Sequence, residues 1–404
     1  MNFKSLLLGS AAAFVAVSGA RAADVIVPVA PEPAEYVKVC DVYGTGFYYI
    51  PGTETCLKIG GYVRYQITAN GAISDDNGND FLINNEGDTY QVGSQVRVRL
   101  NFDAREETEL GTLRAFARVQ ATNLAGSNNT YAMDQGYLQL GGLTMGKLDS
   151  LWADDDDLLT DTDLTVGDIS TNQIRYTYAA DGFSAAIAID DDSTGDWIPN
   201  VVGQLKYAGG WGFVYLAGSY AEDQAFQVAG PGLIGVERGS DDAFALKAGL
   251  SLTDLIAADS ELKIVGSYAF DPSVYSQINV LRGFTNTVGA YGLPGNAAFN
   301  GSDLFDTLPV EWQVGAAYAQ SFGKLGVAVS GAYGETFDIF ANTTNIGNGT
   351  YYKFVGNVGY EVTKNFDVLA EVAYANVDFD SNIAGLDDNS LDQTTGFLRF
   401  VRSF

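Results

Sequence analysis

Between residues 151 and 172 the sequence LWADDDDLLTDTDLTVGDISTN carries seven Asp and neither Lys nor Arg. Carboxylates at this density can ligate a hard cation, exchange protons, or set the sign of charge along a passage. The 404-residue chain has no histidine. No Ser-His or Asp-His catalytic pair and no imidazole metal ligand can therefore form. Asp161-Thr162-Asp163 begins like a calcium loop, but Gly167 comes one place late and Asn172 stands where the closing Glu belongs. No metal, no cofactor and no enzymatic role is expected. The same stretch holds Leu151, Trp152, Leu158, Leu159, Leu164, Val166 and Ile169. A solvated acidic loop has little use for so many apolar groups. The stretch reads as a loop packed against a surface, with Asp154, Asp155, Asp156, Asp157, Asp161 and Asp163 turned toward water. Such a place exists in the lumen of a membrane β-barrel, where the loop narrows the pore.

The rest of the chain must supply that barrel. Sixteen candidate strands follow one another at 58–68, 95–103, 112–122, 132–141, 143–150, 173–180, 182–190, 198–208, 211–222, 242–253, 260–270, 310–322, 324–337, 350–363, 365–379 and 393–404. Most have the length needed to cross a bilayer with a tilt of about 45°. The connections alternate long and short without exception. An outer-membrane barrel segregates its loops in this way, with short turns on the periplasmic side and long loops outside. An even strand count places both termini in the periplasm. The expected architecture is an all-β, 16-stranded antiparallel transmembrane barrel over 58–404, with an inward-folded constriction loop at 151–172.

Face parity agrees. Phe244, Leu246, Ala248, Leu250 and Leu252 share one face, and Lys247 and Ser251 the other; Val310, Trp312, Val314 and Tyr318 oppose Glu311 and Gln313. In a large barrel the apolar face meets lipid and the polar face lines water. By this parity Arg64, Arg97, Arg99, Arg114, Arg118 and Arg175 line the lumen, opposite the acidic loop. Trp211, Tyr268, Phe270, Tyr318, Phe322, Tyr360 and Tyr374 fall near strand ends, where an interfacial girdle belongs. The outward face of the third strand is small (Ala115, Ala117, Ala121), which suits close packing between barrels in a homotrimer.

The chain starts with Lys4, the apolar run Leu6–Val17 and Ala20-Arg21-Ala22. This is the pattern of a cleaved secretory signal over 1–22. Residues 23–57 are expected as a periplasmic segment. Its Cys40 and Cys56 are predicted to form one disulfide, since the chain is exported. By the chain-entropy model such a bridge contributes roughly 3 kcal/mol. The formal charge of −28 makes the chain a poor nucleic-acid binder, and no nucleic-acid partner is expected. At the other end Phe404 closes an amphipathic strand, the mark by which outer-membrane barrels are read by their assembly machinery.

Residues 36–67, YVKVCDVYGTGFYYIPGTETCLKIGGYVRYQI, resemble the start of the alphaproteobacterial general porins in the paired cysteines, I-P-G-T-E-T-C-L and G-G-Y-V-R. The segment DQGYLQLGGLTMGKLDS and the terminal FVRSF are also similar to theirs. The resemblance implies a trimeric sixteen-stranded barrel whose third external loop folds inward, embedded in outer-membrane lipid and lipopolysaccharide. The P-E-F-G loop motif of enteric porins is absent. The leading function is a water-filled channel for passive diffusion of ions and small hydrophilic solutes, with mild cation preference at low salt. A substrate-specific channel with one affinity site, and a structural or adhesive surface protein, are the alternatives.

Overall fold

Alternating apolar and polar residues cannot satisfy both lipid and water unless the sheet closes on itself, and the computed structural model is such a closed sheet. The structure describes residues 38–80, 88–124, 127–128, 131–193, 195, 197–222, 234–236, 242–281, 308–341, 344–380 and 389–404. The expected signal at 1–22 and the segment 23–37 lie outside the described residues.

Sixteen antiparallel strands form the wall. In chain order they are β1 (Cys56–Asp75), β2 (Gln91–Thr108), β3 (Gly111–Leu124), β4 (Ala132–Leu140), β5 (Leu143–Asp149), β6 (Ser170–Ala180), β7 (Phe183–Asp190) and β8 (Asn200–Gly209). They continue as β9 (Gly212–Ala221), β10 (Ala243–Thr253), β11 (Ser260–Ala269), β12 (Leu308–Phe322), β13 (Leu325–Thr336), β14 (Gly349–Thr363), β15 (Phe366–Phe379) and β16 (Ser390–Ser403). Each strand pairs with its neighbours in sequence. The sheet closes where β1 meets β16, with Tyr62 opposite Ser403 and Asp75 opposite Leu391. Gly61 and Phe404 exchange backbone hydrogen bonds of 3.1 and 3.0 Å at the seam. Arg402 donates to the Asn365 carbonyl in the adjoining short turn.

Exposure is inverted relative to a water-soluble sheet. Phe244 and Leu246 are each 49% exposed, while Lys247 and Ser251 on the opposite face are 1% exposed. Val63, Tyr65, Val314, Phe354 and Val372 are likewise exposed. A continuous apolar exterior is stable only in lipid. One expected parity fails. Val310 does not share the outward face of Val314; it is buried inside with Leu308 and Ile278. A register shift between Val310 and Trp312 inserts one residue and turns Val310 to the lumen.

Cys40 and Cys56 are bonded and pack with Phe47. Cys56 is the first residue of β1, so the bridge fastens the preceding loop to the barrel wall. Tyr48–Tyr49 also pairs with the start of β1. On the opposite rim, Ile234–Val236, Ile339–Ala341 and Thr344–Gly347 form a small sheet joining two long connections.

Candidate functional site

The acidic connection between β5 and β6 does fold into the barrel. It follows the inner wall, and its contacts run from β6 round to β16. Four consecutive aspartates meet four wall cations in succession. Asp154 pairs with Arg175 at 3.0 Å, and Asp155 with Lys206, Asp156 with Lys247 and Asp157 with Lys263 at 2.6 Å each. Further along, Asp161 pairs with Arg399 on β16, and its backbone N–H donates to Glu371 on β15 at 2.8 Å.

Lys247 is the central clamp. Its Nζ donates to the Trp152 carbonyl (3.0 Å), the Val166 carbonyl (2.8 Å) and the Asp156 carboxylate (2.6 Å). It also lies 4.5 Å from the centroid of the Trp152 ring. Trp152 is fully buried, and its Nε1–H donates to the Val166 carbonyl at 2.9 Å, tying the two arms of the loop together. Gly167 sits beneath this contact with φ +71°; a Cβ there would come within 2.6 Å of Trp152 Nε1. Leu158, Leu164 and Val166 pack inside the barrel against Val310, Tyr351 and Val377. Leu158 reaches the wall at Gly315, where a Cβ would come within 2.5 Å of its side chain. Gln313 donates to the Leu164 carbonyl at 2.9 Å. These apolar groups explain why a loop with seven Asp stays inside: each buried side chain contributes about 1.5–3 kcal/mol.

The opposite wall is basic, and most of its charges are settled locally. Arg64 and Arg97 face each other across β1 and β2. Arg97 donates to Thr122 at 3.0 Å. Arg99 and Arg118 both meet Asp134 of β4. Arg114 and Arg105 share Asp103. Among the described residues, Arg175 alone of the six expected wall arginines forms an ion pair with the loop. Lys206, Lys247, Lys263 and Arg399 take the other loop carboxylates. The sequence offered a signal for Lys247, which lies on the polar face of β10, but nothing ranked these cations above the arginine set. Charge facing the open lumen remains: the Asp157 side chain is 66% exposed, and those of Asp154 and Asp161 are each 36% exposed. Among the described residues no group of three His, Cys, Asp or Glu is placed to hold a metal.

Burial weakens four of the loop's acids, Asp154, Asp156, Asp163 and Asp168. It raises Asp154 to about 6 despite Arg175, and Asp163 to about 7, with Asp157 and Asp156 adding to it. The Leu158 N–H bonded to Asp163 and the charge of Lys353 oppose the Asp163 shift. A raised carboxyl is neutral below its pKa and charged above it. As pH falls from about 8 to about 5, Asp154 and Asp163 should lose their negative charge with midpoints near 6 and 7, above the ordinary carboxylate value of about 4. Reversal potentials across a salt gradient should then move toward anions over that range. A midpoint near 4 would refute this.

A closed barrel with an apolar exterior, a polar lumen and a charged loop folded inside defines an outer-membrane channel. The model of the Porin subfamily matches residues 24–397, and the chain belongs to that family. It is 40% identical to the porin Omp2b of Brucella abortus (strain 2308) over 256 residues, which covers 56% of this chain and 67% of the relative. Its fold is similar to that of the outer-membrane channel DcaP of Acinetobacter baumannii (TM-score 0.59, 13% identity, 88% and 99% of the two chains). It is also similar to a trimer form of OmpT of Vibrio cholerae (TM-score 0.52, 13% identity, 86% and 100%). The protein is an outer-membrane channel for passive diffusion of small solutes.

Proposed function

We propose that the narrowest part of the pathway lies between the inward loop and the wall of β1–β3. Ions and small hydrophilic solutes cross it without chemical conversion. The observation that carries this reading is the Asp154–Asp157 ladder, which holds the loop's backbone inside the lumen along several strands. The wall cations offset the ladder one for one. Much of the chain's excess acid lies outside this passage, which reduces the cation preference expected from composition to a weak one. Solute selection then rests on width more than on charge. Reconstitution into liposomes tests it. Sugars of increasing size should enter at rates that fall with size and do not saturate. Saturable uptake of one sugar would favour a substrate-specific channel, and absence of flux a structural role.

We also infer a homotrimer with both termini on the periplasmic side. On the outer face of β3, Ala115, Ala117 and Ala121 alternate with the inward Phe116 and Arg118. Ala117 lies opposite Phe102 on one side and Gly136 on the other. Leu113, Leu138 and Met133 nearby are exposed. Small side chains let a second barrel approach closely, and the Vibrio channel with the same fold has a trimer form. Ala117→Trp should convert most of the trimer to monomer in mild detergent, measured by light scattering. Ala248→Trp, on the outer face of β10, should leave it trimeric. Equal behaviour of the two variants would remove β3 from the interface. The terminal Phe404, exposed at the seam, suits recognition by the barrel-assembly machinery, and the apolar belt suits lipid and lipopolysaccharide.

A further inference from the structure

We propose that a second inward segment, residues 271–281 of the connection after β11, wedges the acidic loop from behind and so sets the width of the constriction. In this arrangement Tyr275 is the residue that positions the acidic loop. The inference rests on the reading of residues 151–169 as the constriction and assigns what holds it in place.

The segment leaves the wall after β11 and turns back into the lumen. Ser273 caps a short turn over Val274–Ser276: its hydroxyl accepts from the Tyr275 N–H, and its own N–H donates to Ser276 Oγ at 2.8 Å. The turn drives Tyr275 inward until it is fully buried. The Tyr275 ring meets the Trp152 ring edge-on, with centroids 5.9 Å apart and planes at 61°. Its hydroxyl donates to Asp190 Oδ2 at 3.0 Å, and Ser150 donates to the same oxygen at 2.7 Å. Tyr275 thus touches the loop's central aromatic directly and reaches its root, Ser150, through Asp190.

The next residues grip the other arm. The Gly167 N–H donates to the Gln277 carbonyl at 2.8 Å. Gln277 and Ile278 pair with Pro309 and Leu308, so the segment is tied to the wall as well. Ile278, Val280 and Leu281 are buried in one cluster with Leu158, Leu164 and Val166. The acidic loop is therefore held from both sides. The wall cations take its carboxylates, and residues 271–281 take its apolar face and a backbone N–H. The Asp154–Asp157 ladder begins two residues after Trp152, so moving Trp152 moves the ladder.

Tyr275→Ala would remove the wedge and let the acidic loop shift. Single-channel conductance should rise about twofold, and larger sugars should enter liposomes. Tyr275→Phe keeps the ring against Trp152 and should restore the size limit, which loss of general stability would not do. An Asp-specific protease should cut between residues 153 and 157 in Tyr275→Ala and not in the unaltered channel. Gly167→Ala reaches the same contact from the other loop, because its Cβ would lie 2.6 Å from both Trp152 Nε1 and the Tyr275 carbonyl oxygen. It should act in the same direction and serves if Tyr275→Ala does not assemble. The Asp154–Asp157→Asn variant is recorded in parallel. If its reversal potential shifts while Tyr275→Ala and Gly167→Ala keep the normal size limit and protection, the second segment does not position the loop and this inference falls. If neither set changes the channel, the constriction reading falls and takes this inference with it.

Discussion

Lys247→Met will free the acidic loop and widen the channel, whereas Lys206→Met will barely change it. Both lysines hold an aspartate at 2.6 Å, but their surroundings differ. The side chains of Lys247 and Asp156 are 1% and 6% exposed, and those of Lys206 and Asp155 are 23% and 26% exposed. Removing one partner of a buried pair costs about 3–5 kcal/mol, because the other charge stays behind uncompensated. Here the loss is larger in kind, since the carbonyls of Trp152 and Val166 lose their donor too. Water reaches the more open pair, and breaking it costs about 0–1 kcal/mol. The barrel should survive both changes, because its wall is held by backbone pairing between strands, which a change of side chain at Lys206 or Lys247 leaves in place. Single-channel conductance and cleavage by an Asp-specific protease measure the outcome. If the two variants behave alike, Lys247 is not the clamp.

Replacing Asp154, Asp155, Asp156 and Asp157 together by Asn will turn the channel toward anions. Asn keeps the size of Asp and an oxygen that can accept from the wall, so the loop can stay where it is. The charges of Arg175 and Lys206 would then meet the lumen uncompensated, with the buried charges of Lys247 and Lys263 behind them. Counter-ions gather according to the sign of the nearest cluster. The shift should be large at 0.1 M salt, where the screening length is about 10 Å, and small at 1 M, where it is about 3 Å. The oligomeric state should be unaffected. An unchanged reversal potential at low salt would mean that the ladder is not at the narrow point.

Strand number and the lipid-facing side were readable in the sequence for a local reason. A strand's side chains alternate with period two, so each stretch shows which face meets lipid and which meets water. Phe244 and Lys247 could be assigned without knowing any neighbour. Val310 could not, because the extra residue, Glu311, that turns it inward exists only in the pairing with β13. The first two strands also run further than their alternation suggested, to Asp75 and from Gln91, because each is held by a partner rather than by its own pattern. The inward fold of residues 151–169 was readable from the coexistence of acids with Leu151, Trp152, Leu158 and Leu164.

The partners of those acids were not readable, because ion pairing depends on which strand a loop crosses. Parity places Arg97 and Lys247 on the same lumenal surface and gives no ranking between them. The loop's path is set by where Trp152, Leu158 and Val166 find apolar contact, and that lies along β8–β14, away from Arg97, Arg99, Arg114 and Arg118. The inward turn of residues 271–281 was hidden for the same reason. Tyr275, Ile278 and Leu281 carry no periodic signal of their own and become core only when the acidic loop is already there to receive them. By itself the sequence determined which surfaces are apolar, which are charged, and that the sheet must close in a membrane. Only the tertiary structure decided which charge meets which, because that depends on distances between segments that the period of a strand does not encode.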